Sequence, residues 1–493
     1  MSASPSALSS ALSPALLLTV VLAYFALLLG VARLSARGAT NDSFFIGNKS
    51  SPWMLVAFGM VGTSLSGVTF ISVPGAVGTT AFSYLQIALG QFAGYIVIAY
   101  VLLPLYYKLN LSSIYRYLGE RLGPRAYQTG AGFFMVSRTL GATARLYLVV
   151  KILQELILAR LGVPFWLTAA VILLMILAYT FEGGVKTIVW TDTLQTSGML
   201  IGLVVCIAYL LHGMDLSLAQ SWTTLDAVGL SQVFVTDPLS RFYFVKQIAA
   251  GVFISIAMTG MDQEMMQKNI SVKRLADSQK NMLSLALIML VVIGLFLFLG
   301  GLLQLFSAQQ GLHLRGDDVF GGVVMGYLPA WVQLIFVVAL ISALFPSADG
   351  AITALTSSFC IDLLGLQQRT DWSEAKRTAV RQRVHLAFAA VFMALVLAFR
   401  WVDSPSMIGL ILKLAGYTYG PLLGLFAFGV LTTWQPNDRA VPVIAIAAPL
   451  LCWLIDSQQK LLFGGYEIGL ELLLLNGVLT FAGLWLLSKP KTL

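Results

Sequence analysis

The chain has 493 residues, 58% of them apolar and only 11% charged, with a mean hydropathy of +0.85 and a formal net charge of +8. That composition excludes a soluble enzyme built around one buried core and implies an all-α polytopic membrane protein. The positive balance would suit nucleic acid, but Lys and Arg sit mostly in short loops between apolar runs, as lipid-flanking residues do.

The N-terminal twelve residues carry no charge, and the apolar run 15–32 is followed by Arg33 and Arg37. A signal peptide carries its positive charge before such a run, so 1–40 is expected to be a retained helix entering from outside. Next comes GMVGTSLSGVTFISVPGAVG at 59–78, long enough to cross a bilayer yet broken by glycines and Pro74. Glycine and proline weaken the helical ladder, and Thr63, Ser64, Ser66, Thr69 and Ser72 set hydroxyls where lipid tolerates none. Freed carbonyls survive at membrane depth when buried in protein or lining a wet cavity, and a cation is their natural partner. The competing reading is a small-residue packing face.

Further spans are expected at 53–78, 84–107, 127–158, 164–180, 186–211, 242–263, 280–306, 331–364, 380–400, 405–431, 440–455 and 468–488, thirteen with the first. With the N-terminus outside, the inner segments collect most of the cations, among them Lys108, Arg116, Lys268, Lys273, Arg274, Arg369 and Arg377, against Arg160, Arg241, Arg315, Arg400 and Lys460 outside. This positive-inside asymmetry supports an odd number of spans and a cytoplasmic C-terminus in the inner membrane of a cell. A second interrupted span, GVFISIAMTGMDQ at 251–263, arrives five spans later in the opposite orientation. A 5+5 inverted repeat, 53–211 and 242–431, is therefore expected, with one helix before it and two more in 440–493. The outer loops 213–241 and 308–329 are lids or passive connectors.

Ionisable groups at membrane depth need a partner or a task. Asp192, in GGVKTIVWTDTLQ, is flanked by Thr191, Thr193 and Gln195. A carboxylate among hydroxyls serves as a hard-cation ligand, a proton carrier or the counter-ion of a buried arginine. In ALISALFPSADGAITALTSS, residues 343, 347 and 350 share one helical face and 342, 346, 349 and 353 the next, a polar stripe expected to face the bundle interior. For Arg145, an acid partner and a substrate contact are both expected roles. Lys151 and Lys246, near span ends, are expected to snorkel. Cys206, Cys360 and Cys452 stand at no metal-like spacing and read as small hydrophobes. No nucleophile–base pair appears, and His212, His313 and His385 fall in loops or at span ends, so an enzyme is not expected. Only four residues follow Lys489, which leaves no soluble signalling domain and disfavours a sensor or receptor.

Five stretches together resemble the sodium:solute symporter family: FFIGNKSSPW, YTFEGGVKTIVWTDTLQ, MDQEMMQKNISVKRLADSQK, SADGAITALTSSFCIDLL and AGYTYGPLLGLFAFG, running from residue 44 to 431. The resemblance implies the ten-helix inverted-repeat fold and import of a small organic solute coupled to sodium, with a proton-coupled variant as the alternative. It implies a sodium site made by Gly62 and Leu65 with Ala343 and Ser347, where Pro346 stands in place of a customary hydroxyl. It further implies a second ion position at Ser64 and Asp192, with Asp349 close by. Ser66 and Thr69 occupy substrate-touching positions, and Gln91 lies across from them. Sugar-transporting members carry a glutamate and a lysine that YLQIALGQF and LSLALIMLVV lack, which disfavours sugar. The sialic acid branch uses an arginine in the third core helix. Arg138 and Arg145 occupy that helix at other positions, so Arg145 is taken as a substrate residue and an organic anion as the substrate. The bilayer and a small solute are the implied partners, with no obligate protein partner and no nucleic acid.

Overall fold

The structure, a computed structural model, describes residues 12–36, 44–45, 51–369, 371–402 and 407–490. Arg37, Lys49, Lys491 and residues 46–50 of the FFIGNKSSPW stretch lie outside the described residues. Among the described residues, seven helices are long and apolar enough to cross a membrane, and three bent helix pairs raise the number to ten. Three shorter apolar helices, Phe165–Phe181, Val441–Ser457 and Leu472–Leu486, lie at the remaining expected positions but fall short of that length.

In chain order the helices of eight residues or more among the described residues are α1 (Pro14–Ser35), α2 (Trp53–Ser64), α3 (Gly67–Thr80), α4 (Tyr84–Lys108), α5 (Pro124–Leu153), α6 (Phe165–Phe181) and α7 (Thr187–Gly213). Then follow α8 (Leu218–Ala227), α9 (Phe244–Gly260), α10 (Gln263–Ile270), α11 (Leu275–Gln309), α12 (Asp318–Tyr327), α13 (Ala330–Leu344) and α14 (Pro346–Ser358). The last are α15 (Glu374–Phe399), α16 (Met407–Thr418), α17 (Gly420–Leu431), α18 (Val441–Ser457) and α19 (Leu472–Leu486). A two-residue ribbon, Gln435 opposite Lys489, ties the segment after α17 to the one after α19.

The broken segments sit where the sequence weakens the backbone. Between α2 and α3 the chain bends by 57°. Leu65 and Ser66 leave the helix there, and the carbonyls ending α2 lose their intrahelical donors. The second break is sharper, 65° between α9 and α10. A π-turn at Ile256–Gly260 loosens the ladder, and the Asp262 side chain restarts it by accepting from the backbone N–H of Glu264 at 2.9 Å and Met265 at 3.2 Å. The third, 46° between α16 and α17, falls at Tyr419 with Gly420 and Pro421 behind it. Between α6 and α7 the chain turns at Gly184, whose φ of 52° favours glycine, and Phe44 packs against it.

Glycine seams let the other helices approach closely. Gly90 and Gly94 of α4 lie against the α9 backbone at Ile248, Gly251 and Val252. On α7, Gly198 meets Ser342 and Gly202 meets Ala339 of α13. Such contacts matter because lipid is as apolar as leucine, so helix association depends on close packing. Cys206, Cys360 and Cys452 are buried and unbridged, in keeping with their reading as small hydrophobes.

Gly90→Leu forces side-chain atoms onto the Ile248 carbonyl and is expected to destabilise the protein by about 1–3 kcal/mol, in the range of overpacked cores. Gly132→Leu, with open space around it, is the control and leaves the thermal midpoint in detergent unchanged. Equal midpoints for the two variants would contradict the seam.

Candidate functional site

The three breaks converge on one buried polar network, and α10 supplies its centre. All eight residues of α10 are buried, and glutamate and lysine four apart place Glu264 and Lys268 on one face. Anchors at both ends hold this short helix. Gln263 accepts from the Ile114 N–H and donates to the Ser112 carbonyl, each at 3.0 Å, and Gln267 donates to the Phe45 carbonyl and the Ser357 hydroxyl. Beyond the other end, Tyr107 donates to the Val272 carbonyl at 2.6 Å.

Lys268 is the correction to the sequence reading. Counted there among the inner flanking cations, it is only 2% exposed in the structure. Its Nζ donates to Asp192 Oδ2 and to Thr63 Oγ1, each at 2.7 Å, with Glu264 Oε1 3.4 Å away. Three acceptors meet the three donors of the ammonium. The Thr63 hydroxyl in turn donates to Asp192 Oδ2 at 3.0 Å, so α2, α7 and α10 meet at one carboxylate oxygen. Of the roles open to Asp192, the counter-ion role is realised, with a lysine in place of the expected arginine.

Arg138 of α5 pairs with Glu264 and lies 3.8 Å from Asp262 Oδ2. That same Asp262 oxygen accepts from Tyr419 Oη at 2.8 Å, which brings the third break into the network. Charges this deep stay ionised only when paired and hydrogen-bonded, because an isolated one would lose several kcal/mol of solvation.

Gly62 and Leu65 lie at the end of α2, whose Gly62 N–H donates to Thr196 Oγ1 at 3.1 Å. A Cβ at Gly62 would fall on that threonine oxygen, which accounts for the glycine. Ala343 and Ser347 are buried on α13 and α14, and α14 packs on α2, so the two halves of the expected sodium site belong to adjoining helices. Pro346 opens α14 and lacks the N–H that a regular helix would set against the Ser342 carbonyl. Asp349, in the first turn of α14, is fully buried. It accepts from Tyr179 Oη at 2.8 Å and from the Gly350 N–H at 2.5 Å, and no Lys or Arg pairs with it among the described residues. The donor set of carbonyls, hydroxyls and a carboxylate is the hard-oxygen chemistry that suits sodium.

Beside the network lies a cavity that Ser64, Ser66, Thr69, Gln91 and Arg145 all line, together with Thr63, Arg138, Tyr84 and Tyr95. Met258, Met265, Met289 and Ile411 form its apolar wall. Arg138 is neutralised by its acids, whereas Arg145 has no carboxylate within ion-pair distance among the described residues. Lys246, expected to snorkel, has its Nζ 3.5 Å from the Tyr466 ring centroid and 3.9 Å from Glu471. Sequence reasoning missed Glu264, Lys268 and Tyr419 as a unit. The i,i+4 spacing in QEMMQK was the available signal, masked by the cations at Lys273 and Arg274.

The family model described as "Sodium:solute symporter family" matches residues 44–436. The sodium/sialic acid symporter of Proteus mirabilis is 22% identical, with the alignment covering 85% of each chain. A sodium-coupled monocarboxylate transporter of Danio rerio is 24% identical over 84% of this chain and 67% of its own. A solved structure of a Na+-coupled sialic acid symporter, substrate-bound and outward-open, superposes with a TM-score of 0.82 at 18% identity, covering 96% of this chain and 99% of that one.

Removing one partner of a buried pair leaves a bare charge. Arg138→Met is expected to destabilise the protein by about 3–5 kcal/mol, and Arg138→Met with Glu264→Leu to recover much of that, since an apolar pair of similar volume replaces both charges. Thermal unfolding of the single and double variants checks this. Additive losses would contradict the pairing.

Proposed function

The chain belongs to the sodium:solute symporter family, and from that premise we propose that its solute is a small organic anion bearing a carboxylate. It is a multi-pass membrane transporter that couples a small solute to sodium. The observation that carries the anion reading is Arg145, the one cation on the cavity wall without an acid partner among the described residues. A guanidinium offers two parallel donors to a carboxylate, and such charge-assisted bonds are the strong ones. Ser64, Ser66, Thr69 and Gln91 supply donors and acceptors for the rest of the solute, and the methionine wall takes its apolar part. Relatives named for sialic acid and for monocarboxylates, both organic anions, support the same reading.

Sodium, in this account, binds carbonyl oxygens of Gly62 and Leu65 together with the Ala343 carbonyl and the Ser347 hydroxyl. It thereby ties the end of α2 to α14. Ser64 at the end of α2, Ser66 in the break and Thr69 in the first turn of α3 line the cavity, so fixing α2 pre-forms the solute pocket. Each ligand then raises the affinity for the other by the same factor. Release of the ion on the inner side frees both. The inverted repeat 53–211 and 242–431 is supported by the bent pair that opens each half. The membrane is the inner membrane of a cell, with the N-terminus outside and the C-terminus cytoplasmic, as the cation asymmetry argues.

Proteoliposomes with an imposed sodium gradient test the proposal, using labelled lactate, pyruvate and sialic acid beside glucose and proline. One of the carboxylates is expected to accumulate at least about tenfold over a potassium control. Arg145→Gln raises its half-saturation concentration roughly 10–150-fold, the equivalent of about 1.5–3 kcal/mol for a hydrogen bond to a charged group. Ser347→Ala raises the sodium concentration for half-activation instead. Accumulation of glucose alone, or uptake driven as well by a proton gradient without sodium, would contradict the reading.

A further inference from the structure

Resting on the reading of the cavity as the solute site, we infer that Asn476 of α19 is a positioning residue for that site, holding the bend that keeps α16 along the cavity wall. Ile408, Ile411 and Leu412 of α16 line the cavity, and the bend follows them at Tyr419. Inside a helix each carbonyl is bonded by the N–H four residues on. In that register the Tyr417 carbonyl faces Pro421, which has no N–H to offer. A carbonyl left bare in a water-free interior is costly. Asn476, fully buried on α19, supplies the donor. Its Nδ2 bonds the Tyr417 carbonyl at 2.9 Å and the Gly416 carbonyl at 3.0 Å. A Cβ at Gly420 would fall on the Asn476 side chain, so glycine is what admits the donor. One turn on, Gly424 lies against Thr480 of α19 in the same way, which fixes α17 to α19.

α16 is also held on the face away from the cavity. Tyr417 Oη donates to Asp456 Oδ2 of α18 at 2.6 Å, and Lys413 Nζ reaches the same oxygen at 2.9 Å. On the other side of the bend, Tyr419 Oη bonds Asp262 at the second break. The two C-terminal helices, which lie outside the proposed inverted repeat, therefore act on the solute site through α16. Without Asn476 the Gly416 carbonyl would regain a partner from the Gly420 N–H, in a straighter helix. Straightening carries the face with Ile408, Ile411 and Leu412 off the cavity and opens it.

The test reads the position of α16 with no solute present. Leu412→Cys, on the cavity face, is introduced with Cys206→Ala, Cys360→Ala and Cys452→Ala, and the purified full-length protein in sodium is treated with a cationic methanethiosulfonate. Asn476→Leu, similar in shape, is expected to lower the thermal midpoint and to raise the labelling rate roughly 2–10-fold, the factor that one net hydrogen bond represents. Adding Pro421→Ala gives the Tyr417 carbonyl an N–H of its own, so the midpoint recovers while the rate stays raised. Pro421→Ala alone keeps the original rate, because Asn476 still holds the bend. The original rate in either Asn476 variant, or an equal rise in Pro421→Ala alone, would overturn the inference and leave Asn476 a merely structural partner. If Asn476→Leu does not fold, the double variant and Pro421→Ala decide between them. An unmoved rate leaves the anion reading standing, and a failure of anion uptake leaves the labelling result standing.

Discussion

Buried charge must be compensated locally, and in this protein that requirement falls on an eight-residue helix. α10 is too short to be stable by itself, yet it carries Glu264 and Lys268, and Asp262 caps its start. Through them it reaches Thr63 at the first break, Asp192 on α7, Arg138 on α5 and Tyr419 at the third break. No single contact here has to be strong. What matters is that leaving any of these groups unpaired in a water-free interior is costly, so the three bent spans are held in one mutual arrangement.

That arrangement bears directly on coupling. Thr63 faces the cavity and also accepts from Lys268, so the wall of the solute site and the charge network share a hydroxyl. The end of α2 carries both the carbonyls assigned to sodium and the hydroxyls assigned to the solute. A shift in that break cannot leave either ligand untouched, which is the physical content of symport. The glycine seams hold other helices in close contact. Gly90 and Gly251 bring α4 and α9 backbone to backbone.

Much of this was legible in the sequence, for reasons that differ from residue to residue. Hydropathy located the spans because lipid imposes length and composition, and the break after Ser64 was announced by glycines and hydroxyls that no lipid-facing helix would carry. Ser66, Thr69, Gln91 and Arg145 were expected on a solute site and do line one cavity. Lys268 was misjudged for a physical reason. Composition assigns a lysine beside Lys273 and Arg274 to the water interface, and only the 65° bend before α10 turns it inward to meet Asp192. The break at Tyr419 lies in GYTYGP, where Gly416, Gly420 and Pro421 weaken the helix. Partners of a buried charge come from distant parts of the chain, and no local pattern names them.

The most direct test of sodium-coupled anion binding at Arg145 is the thermal midpoint of the purified protein against a panel of organic acids, amino acids, sugars and polyols, each in sodium and in potassium. Anything that binds the folded state preferentially raises its apparent stability, by about 2.7 kcal/mol at a hundred times the dissociation constant. A carboxylate is expected to raise the midpoint in sodium, to do so far less in potassium, and to lose the effect in Arg145→Gln. Stabilisation by a neutral sugar or polyol, or by a carboxylate equally in both salts, would contradict sodium-coupled anion binding.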